Sequence, residues 1–307
     1  MVDTARCPVD NAPMRVHLVD GTFELFRAHY APRPSHTSPS GKDLKATVGV
    51  VGSLLALLAD ADEAVTHLAV AFDNPIRSFR NDLFDGYKTE AGIDAALAAQ
   101  FDDVEAAVAA LGVVVWSMKD FECDDALATA AVRFAKAPGV TQVRVMTPDK
   151  DLGQVLDGER VVQVDRMRRR VFTEASLRAE RGFGPPSVPD FLALVGDTAD
   201  GIPGLDGWGE KGAQAVLSVY PHLEQIPDDA KAWTVKVRGA EKLAGTLSAH
   251  RAEATLYRTL ATLRLDVPLD ESLDELRWQG APRDAWRAWC VDAGIEKFVD
   301  RPLRFLP

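Results

Sequence analysis

The chain has 307 residues, 47% hydrophobic and 26% charged, enough to bury one large domain or a large domain with a smaller companion. This composition excludes a disordered chain, and no apolar run is long enough to form a membrane-spanning helix. The formal charge of −11 argues against a broadly basic nucleic-acid binder, unless many of the acids are gathered in one metal site. Cys7, Cys123 and Cys290 share no disulfide or metal-ligand spacing, and MVDTARCPVDNAPMR lacks the apolar stretch of a signal peptide. A reducing, cytoplasmic setting is therefore expected.

Residues 15–19 (RVHLV) read as a short buried strand ending at Asp20-Gly21, followed by a helix over 22–30. The Pro/Ser-rich stretch 31–41 is a polar loop, and an apolar helical period covers 44–59. A strand over 66–72 ends at Asp73. An Ala-rich helix over 93–111 is closed by Gly112, and a strand follows over 113–116. A helix over 124–136 stops at Pro138-Gly139, and a strand over 142–147 leads into Pro148-Asp149-Lys150-Asp151. Strands alternating with helices predict an open, mainly parallel α/β sheet flanked by helices. After about residue 173 the strands stop, and TEASLRAERG, PDFLALVG and EKGAQAVLSVY read as helices. The expected division is an α/β core over 1–183 and a helical module with a C-terminal extension over 184–307.

The acids recur where such a sheet binds ligands, at the carboxyl ends of its strands. Asp20, Asp73, Asp149 and Asp151 follow strands, Glu122, Asp124 and Asp125 open a helix, and Asp197 and Asp200 lie in an interhelical loop. Asp also favours turns and helix N-caps, so no single one of these residues carries the argument. If all nine meet, they cannot stay ionised together without cations between them. Mg²⁺ or Mn²⁺ suits oxygen ligands and phosphate chemistry. Two such ions about 4 Å apart stabilise the attacking and leaving oxygens of a phosphoryl displacement. Asp20-Gly21-Thr22 also suggests an aspartyl-phosphate phosphatase, but that chemistry needs a nucleophilic Asp at position 18, which is Leu18.

GLDGWGEKGAQAVL (204–217) places Gly204, Gly207 and Gly209 in a turn that opens a helix bearing Lys211, a form suited to close approach of a phosphate. An ordinary interhelical turn has the same form. Basic residues cluster at Arg77, Arg80 and Lys88, at Arg27, at Lys236 and Arg238, and in a run from Arg166 through Arg168, Arg169 and Arg170. That run reads as a solvated hairpin face.

The ordered set VDG (19–21), FD (72–73), FR…YK (79–88), ECDDAL (122–127), TPDKDLGQVL (147–156) and GDTADGIPGLDGWGEKGA (196–213) resembles the 5′-nuclease domain of bacterial DNA polymerase I, a relative of the flap endonucleases. The likeness runs from about Arg15 to the region of Arg277 and includes LATLRLDVPLD (260–270). It implies a PIN-like nuclease core, a helical arch at about 80–110 and a helix-turn-helix-type DNA-binding module. In the roles it implies, Asp20, Asp73, Glu122 and Asp124 form one metal group and Asp149, Asp151, Asp197 and Asp200 a second, with Asp125 between. Lys88 would contact the scissile phosphate at the base of the arch, assisted by Arg80, and Arg27 would contact a further phosphate. The turn at Gly204, Gly207 and Gly209, with Lys211, would grip duplex backbone and could hold K⁺.

The implied protein is a stand-alone monomer acting on DNA flaps, nicks and recessed 5′ ends in replication and repair, near the nucleoid and away from membranes. A polymerase or ligase is a possible partner. Ala199 and Gly201 stand where the family often has Ser and Asn, and Ala91 stands where a second arch cation is usual. No Lys or Arg occurs from Thr89 to Met118, while Glu90, Asp94, Asp102, Asp103 and Glu105 would repel a threaded strand. Two alternatives stay open: a non-catalytic or weakly catalytic junction-binding paralogue, and an RNA-directed nuclease, which the 2′-OH could select.

Overall fold

The computed structural model describes residues 14–306, so the N-terminal stretch containing Cys7 lies outside the described residues. Strands β1 (Met14–Asp20), β2 (His67–Asp73), β3 (Val114–Met118), β4 (Val140–Met146) and β5 (Val161–Asp165) run parallel. β6 (Arg170–Phe172) adds an antiparallel edge, and the order is β3-β2-β1-β4-β5-β6. β2 is buried along its whole length, as a strand covered on both faces must be.

Alternation along the strands splits the core in two. Val19, Val70, Phe72 and Val164 face one side, under α1 (Gly21–Tyr30) and α2 (Lys45–Ala59). Between β2 and β3 lie α3 (Arg80–Leu83), α4 (Ala95–Ala98) and α5 (Phe101–Ala110), and α5 joins this face through Val104 and Val108. Val16, Leu18, Ala69, Ala71 and Val145 face the other side, under the Ala-rich α6 (Cys123–Ala135). A third cluster holds the helical module: α7 (Glu174–Arg181), α8 (Val188–Val195), α9 (Glu210–Leu217), α10 (Ala240–Ala249) and α11 (Arg251–Ala261) surround Phe191, Leu192, Trp208, Val216 and Leu247.

After the module the chain returns to the α/β core. Leu263, Val267, Leu269 and Leu276 pack on the α6 face. β7 (Ala281–Pro282), α12 (Arg283–Asp292) and β8 (Phe305–Leu306) bring Trp278, Trp286 and Cys290 into the α2 and α5 face. Residues from 263 onward therefore complete the core rather than extend the module. Among the described residues no helix is long and apolar enough to cross a membrane.

The stretch at about 80–110, where the arch is expected, is divided. The single helix expected over 93–111 breaks at Ala99–Gln100, and α5 is packed through buried Phe101, Val104 and Val108. The break has an identifiable cause. Gln100 is fully buried, and its Oε1 accepts from Ala46 N (3.0 Å), Thr47 N (3.1 Å) and Thr47 Oγ1 (3.2 Å). It thereby caps α2, whose N-cap residue Leu44 offers no side-chain bond. The acids of this segment have partners: Asp103 with Lys42 (2.7 Å), Asp102 with Asn74 (2.9 Å), Glu105 with Asn74 (3.3 Å), and Asp94 with His29 (3.6 Å). Glu90 accepts from Arg77 N at 3.1 Å. They lie on the outer faces of these elements.

Replacing Gln100 with Ala leaves the first amides of α2 without their acceptor in a buried position. Chemical denaturation should show a loss of about 1–3 kcal/mol, and a stability equal to the wild type would refute the capping role.

Candidate metal centre

β1 and β4 are neighbours whose connections leave in opposite directions, which opens a crevice at their carboxyl ends. Asp20 ends β1 and N-caps α1: its Oδ1 accepts from Phe23 N (2.7 Å) and its Oδ2 from Thr147 Oγ1 (2.8 Å). Asp73 ends β2, and its Oδ1 accepts from Cys123 N at 2.6 Å, so the first amide of α6 points at it. Glu122 stands just before α6. It accepts from Ser78 Oγ (2.6 Å) and Tyr87 OH (3.2 Å) and pairs with Lys88 Nζ (3.0 Å). Half-buried Asp124 lies in the first turn of α6. Asp149 receives Asp151 N at 2.9 Å, which holds the tight turn after β4.

The charges interact. Burial raises the Asp20 carboxyl to about 7, with nearby Asp73 and Asp149 adding to the effect. Burial also raises Asp73, to about 6, although Lys88 opposes it. Asp124 is raised well above the ordinary range by burial and by Asp149 and Asp20. Asp151 is raised by burial and by Asp149, Asp200 and Asp197. Burial works to raise Glu122 as well, but Lys88 and Arg80 outweigh it and hold that carboxyl below its ordinary value.

The second group meets tightly. Asp151, Asp197 and Asp200 each present an oxygen within 4.8 Å of the others. Asp151 Oδ1 is buried and has no hydrogen-bond partner. An orphaned carboxylate oxygen beside two more carboxylates is the donor set a hard divalent ion takes, so these residues fit such an ion. Lys88 joins the two groups, with Nζ 3.0 Å from both Glu122 and Asp200. Its backbone N–H donates to Asp200 O at 3.0 Å. This close approach accounts for Gly201. The residue is in the left-handed region (φ +74°), and a Cβ there would lie 2.1 Å from Gly86 O. Asn tolerates that φ but not that contact. Ala199 loses nothing by lacking a hydroxyl, since its backbone N–H holds Asp197 Oδ1 at 3.0 Å.

Three expected site residues lie elsewhere. Asp125 is fully buried, and its oxygens bind Arg80 (2.7 and 2.8 Å), Glu122 N (3.1 Å) and Arg264 N (2.8 Å), which leaves it no place at a metal. Arg80, 1% exposed, spends its remaining N–H groups on Leu260 O (2.7 Å) and Thr262 O (3.0 Å). It is a clamp between core and module and cannot reach a phosphate. Arg27 pairs with Glu24 and Ser53 on the α2 side, not with any site carboxylate. In the basic run, Arg166 ties the hairpin to α2 through Ser53, and Arg168 binds Asp165 within the hairpin.

The glycine turn follows the second acid group directly. Gly204 (φ +70°) and Gly207 (φ +80°) take backbone conformations that side chains resist, and Gly209 is the N-cap of α9. A Cβ at Gly204 would strike Gly196 N at 2.5 Å, so this glycine is a packing requirement. Gly207, Gly209 and Lys211 are exposed, as are Lys236 and Arg238 before α10. Sequence reasoning missed Ser78, Tyr87 and Thr147, hydroxyls that orient the carboxylates, and it passed over Lys150, visible between two aspartates. Lys150 was the one with a signal; hydroxyls acting across the fold leave none.

Acids collected at the switch point of a parallel sheet, beside a glycine-rich helical turn, make a setting for metal-assisted phosphoryl chemistry. The 5′-3′ exonuclease, N-terminal resolvase-like domain, matches residues 15–182, and the 5′-3′ exonuclease, C-terminal SAM fold, matches residues 183–284. The chain belongs to the 5′-3′ exonuclease family. DNA polymerase I of Pseudomonas aeruginosa is 34% identical over 297 residues, covering 94% of this chain and 31% of the polymerase. DNA polymerase I of Mycobacterium tuberculosis is 36% identical over 290 residues, covering 92% and 31%. The chain thus spans about a third of the length of these relatives. Zinc-bound T5 5′-exonuclease shares the fold, with a TM-score of 0.60 and 18% identity over 93% of this chain and 97% of that one. So does the catalytic core of Rad2 in complex with DNA substrate, with a TM-score of 0.61 and 14% identity over 94% and 90%.

Arg80→Met strands Asp125 as an unpaired buried charge and should cost about 3–5 kcal/mol of stability. A variant that melts like the wild type would mean Arg80 is free to act on substrate instead. The raised carboxyls give a pH signature. Asp20 and Asp73 are protonated below about 7 and about 6, so divalent-ion binding should weaken as pH falls through that range and release protons within it. Calorimetric titration between those two values, in buffers of different ionisation heat, should give different binding heats. Equal heats would contradict the shifts.

Proposed function

We propose that the chain is a structure-selective 5′-nuclease that hydrolyses DNA phosphodiester bonds at flaps, nicks and recessed 5′ ends. The observation that carries this reading is the convergence of eight acids on one crevice, with Lys88 bridging Glu122 and Asp200. Asp20, Asp73, Glu122 and Asp124 would hold one Mg²⁺ or Mn²⁺, and Asp149, Asp151, Asp197 and Asp200 a second. When bound, such ions supply positive charge to the attacking and leaving oxygens of the phosphate. The protein's own part is positional. Thr147, Ser78, Tyr87 and the first amide of α6 orient the carboxylates, and Lys88, 24% exposed, reaches the crevice from its side. Its ammonium can stabilise charge on the reacting phosphate.

The exposed backbone at Gly207 and Gly209, with Lys211, Lys236 and Arg238, suits contact with duplex phosphates without sequence choice, and the same turn is our candidate for K⁺. Relatives named DNA polymerase I favour a role in replication and repair alongside a polymerase or ligase. The matches to 5′-3′ exonuclease domains favour the catalytic reading over a weakly catalytic paralogue.

A labelled 5′ flap should be cut with Mg²⁺ or Mn²⁺ and left intact with chelator. Asp124→Ala should abolish most of the rate while DNA binding persists. Lys88→Ala should lower the single-turnover rate by roughly two to three orders of magnitude. Matched RNA and DNA flaps separate the two substrate classes. Undiminished cleavage by Asp124→Ala would overturn the metal assignment.

A further inference from the structure

Lys150 lies in sequence between Asp149 and Asp151, yet its ammonium turns to neither. Asp149 is the N-cap of the 3₁₀ turn that begins at Lys150, and the side chain projects toward the loop between α8 and α9. There Nζ sits 2.6 Å from Asp197 Oδ2. The other Asp197 oxygen is held by Ala199 N at 3.0 Å, so both oxygens are engaged. Within the triad, Asp200 is matched by Lys88 and Asp197 by Lys150, while Asp151 Oδ1 is buried without a partner. The two lysines differ in one respect. Lys88 is 24% exposed and held from two sides, whereas Lys150 is 47% exposed and held by one bond, free to swing into solvent.

We propose that Lys150 is a resident counter-ion of Asp197 that a divalent ion displaces on entering the Asp151–Asp197–Asp200 triad, so that this lysine sets the affinity of the second metal group. The inference rests on the nuclease reading above. Its basis is electrostatic. A cation coordinated by Asp197 Oδ2 and an ammonium bonded to the same oxygen repel each other at close range. While no ion is bound, the ammonium supplies the charge that keeps Asp197 and its loop in place. The loop is otherwise closed by the paired backbone bonds between Asp197 and Ile202 (2.8 Å each). The lysine thus stabilises the metal-free protein and weakens the bound ion by the same interaction.

The test is a Mn²⁺ titration of the full metal-free chain, following free Mn²⁺ by its paramagnetic resonance signal, for the wild type, Lys150→Met and Lys150→Arg. In Lys150→Met the weaker Mn²⁺ should bind about two- to fivefold more tightly, the scale of one part-exposed ion pair. Lys150→Arg, which keeps the charge, should stay near the wild type. Lys150→Met should melt lower than the wild type without metal, and the gap should close at saturating Mn²⁺. If Lys150→Met will not fold without metal, Lys150→Gln carries the same titration. Unchanged or weaker Mn²⁺ binding in the uncharged variants, with normal binding by the wild type, overturns the counter-ion role and leaves the nuclease reading standing. A wild type that binds no Mn²⁺ overturns both.

Discussion

The crowding of carboxylates at the mouth of the sheet is the constraint around which the rest of this protein is built. Strand ends and helix starts bring them together because those are the positions a parallel sheet points at its switch point. Left alone they would repel, and burial makes the repulsion worse. The fold answers with donors of three kinds. Backbone amides of Phe23, Cys123, Asp151 and Ala199 serve Asp20, Asp73, Asp149 and Asp197. Hydroxyls of Thr147, Ser78 and Tyr87 serve Asp20 and Glu122. Ammonium groups of Lys88 and Lys150 serve Glu122, Asp200 and Asp197. What remains unmatched, above all Asp151 Oδ1, is the capacity that a metal takes up.

A second buried charge pair does a different task. Arg80 and Asp125 are both hidden from solvent, and their bonds reach α6 on one side and the end of α11 on the other. Such a pair contributes little net stability against an apolar substitute, but its directional bonds fix one docking geometry. That geometry matters because the crevice is assembled from both parts. Lys88 stands on the core, Asp200 on the module, and the Gly86–Gly201 approach leaves no room for a side chain between them. The chain's return after α11, with Trp286 buried under α12, closes the same assembly from behind.

The local order of this protein was written in its sequence. Short apolar runs marked β1 to β4 to within a few residues, and helical stretches were legible at α1, α2, α6 and α8. The acids at strand ends and the DKD and GDTAD clusters pointed at one crevice. Lost were the features whose cause is distant in the chain. The break at Gln100 depends on an amide 53 residues earlier, and the apolar stretch from Leu263 gave no hint of which body it would cover.

The same distinction divides the site. Sequence determined which residue types were available and where each stands in its own element, because propensity and periodicity act over a turn or two of backbone. Only the tertiary structure decided which of them share the crevice. Asp125 sits one residue from Asp124, yet the helix turns it about 100° away to meet Arg80, while Asp124 stays with the acids. Arg80 reads as a phosphate ligand in isolation and becomes a clamp because two carbonyls from beyond residue 259 close over it. Lys150 meets Asp197, 47 residues away in sequence, because the fold brings the two to within 2.6 Å. Charges select partners through space, and the path of the chain through space is set by the packing of whole elements.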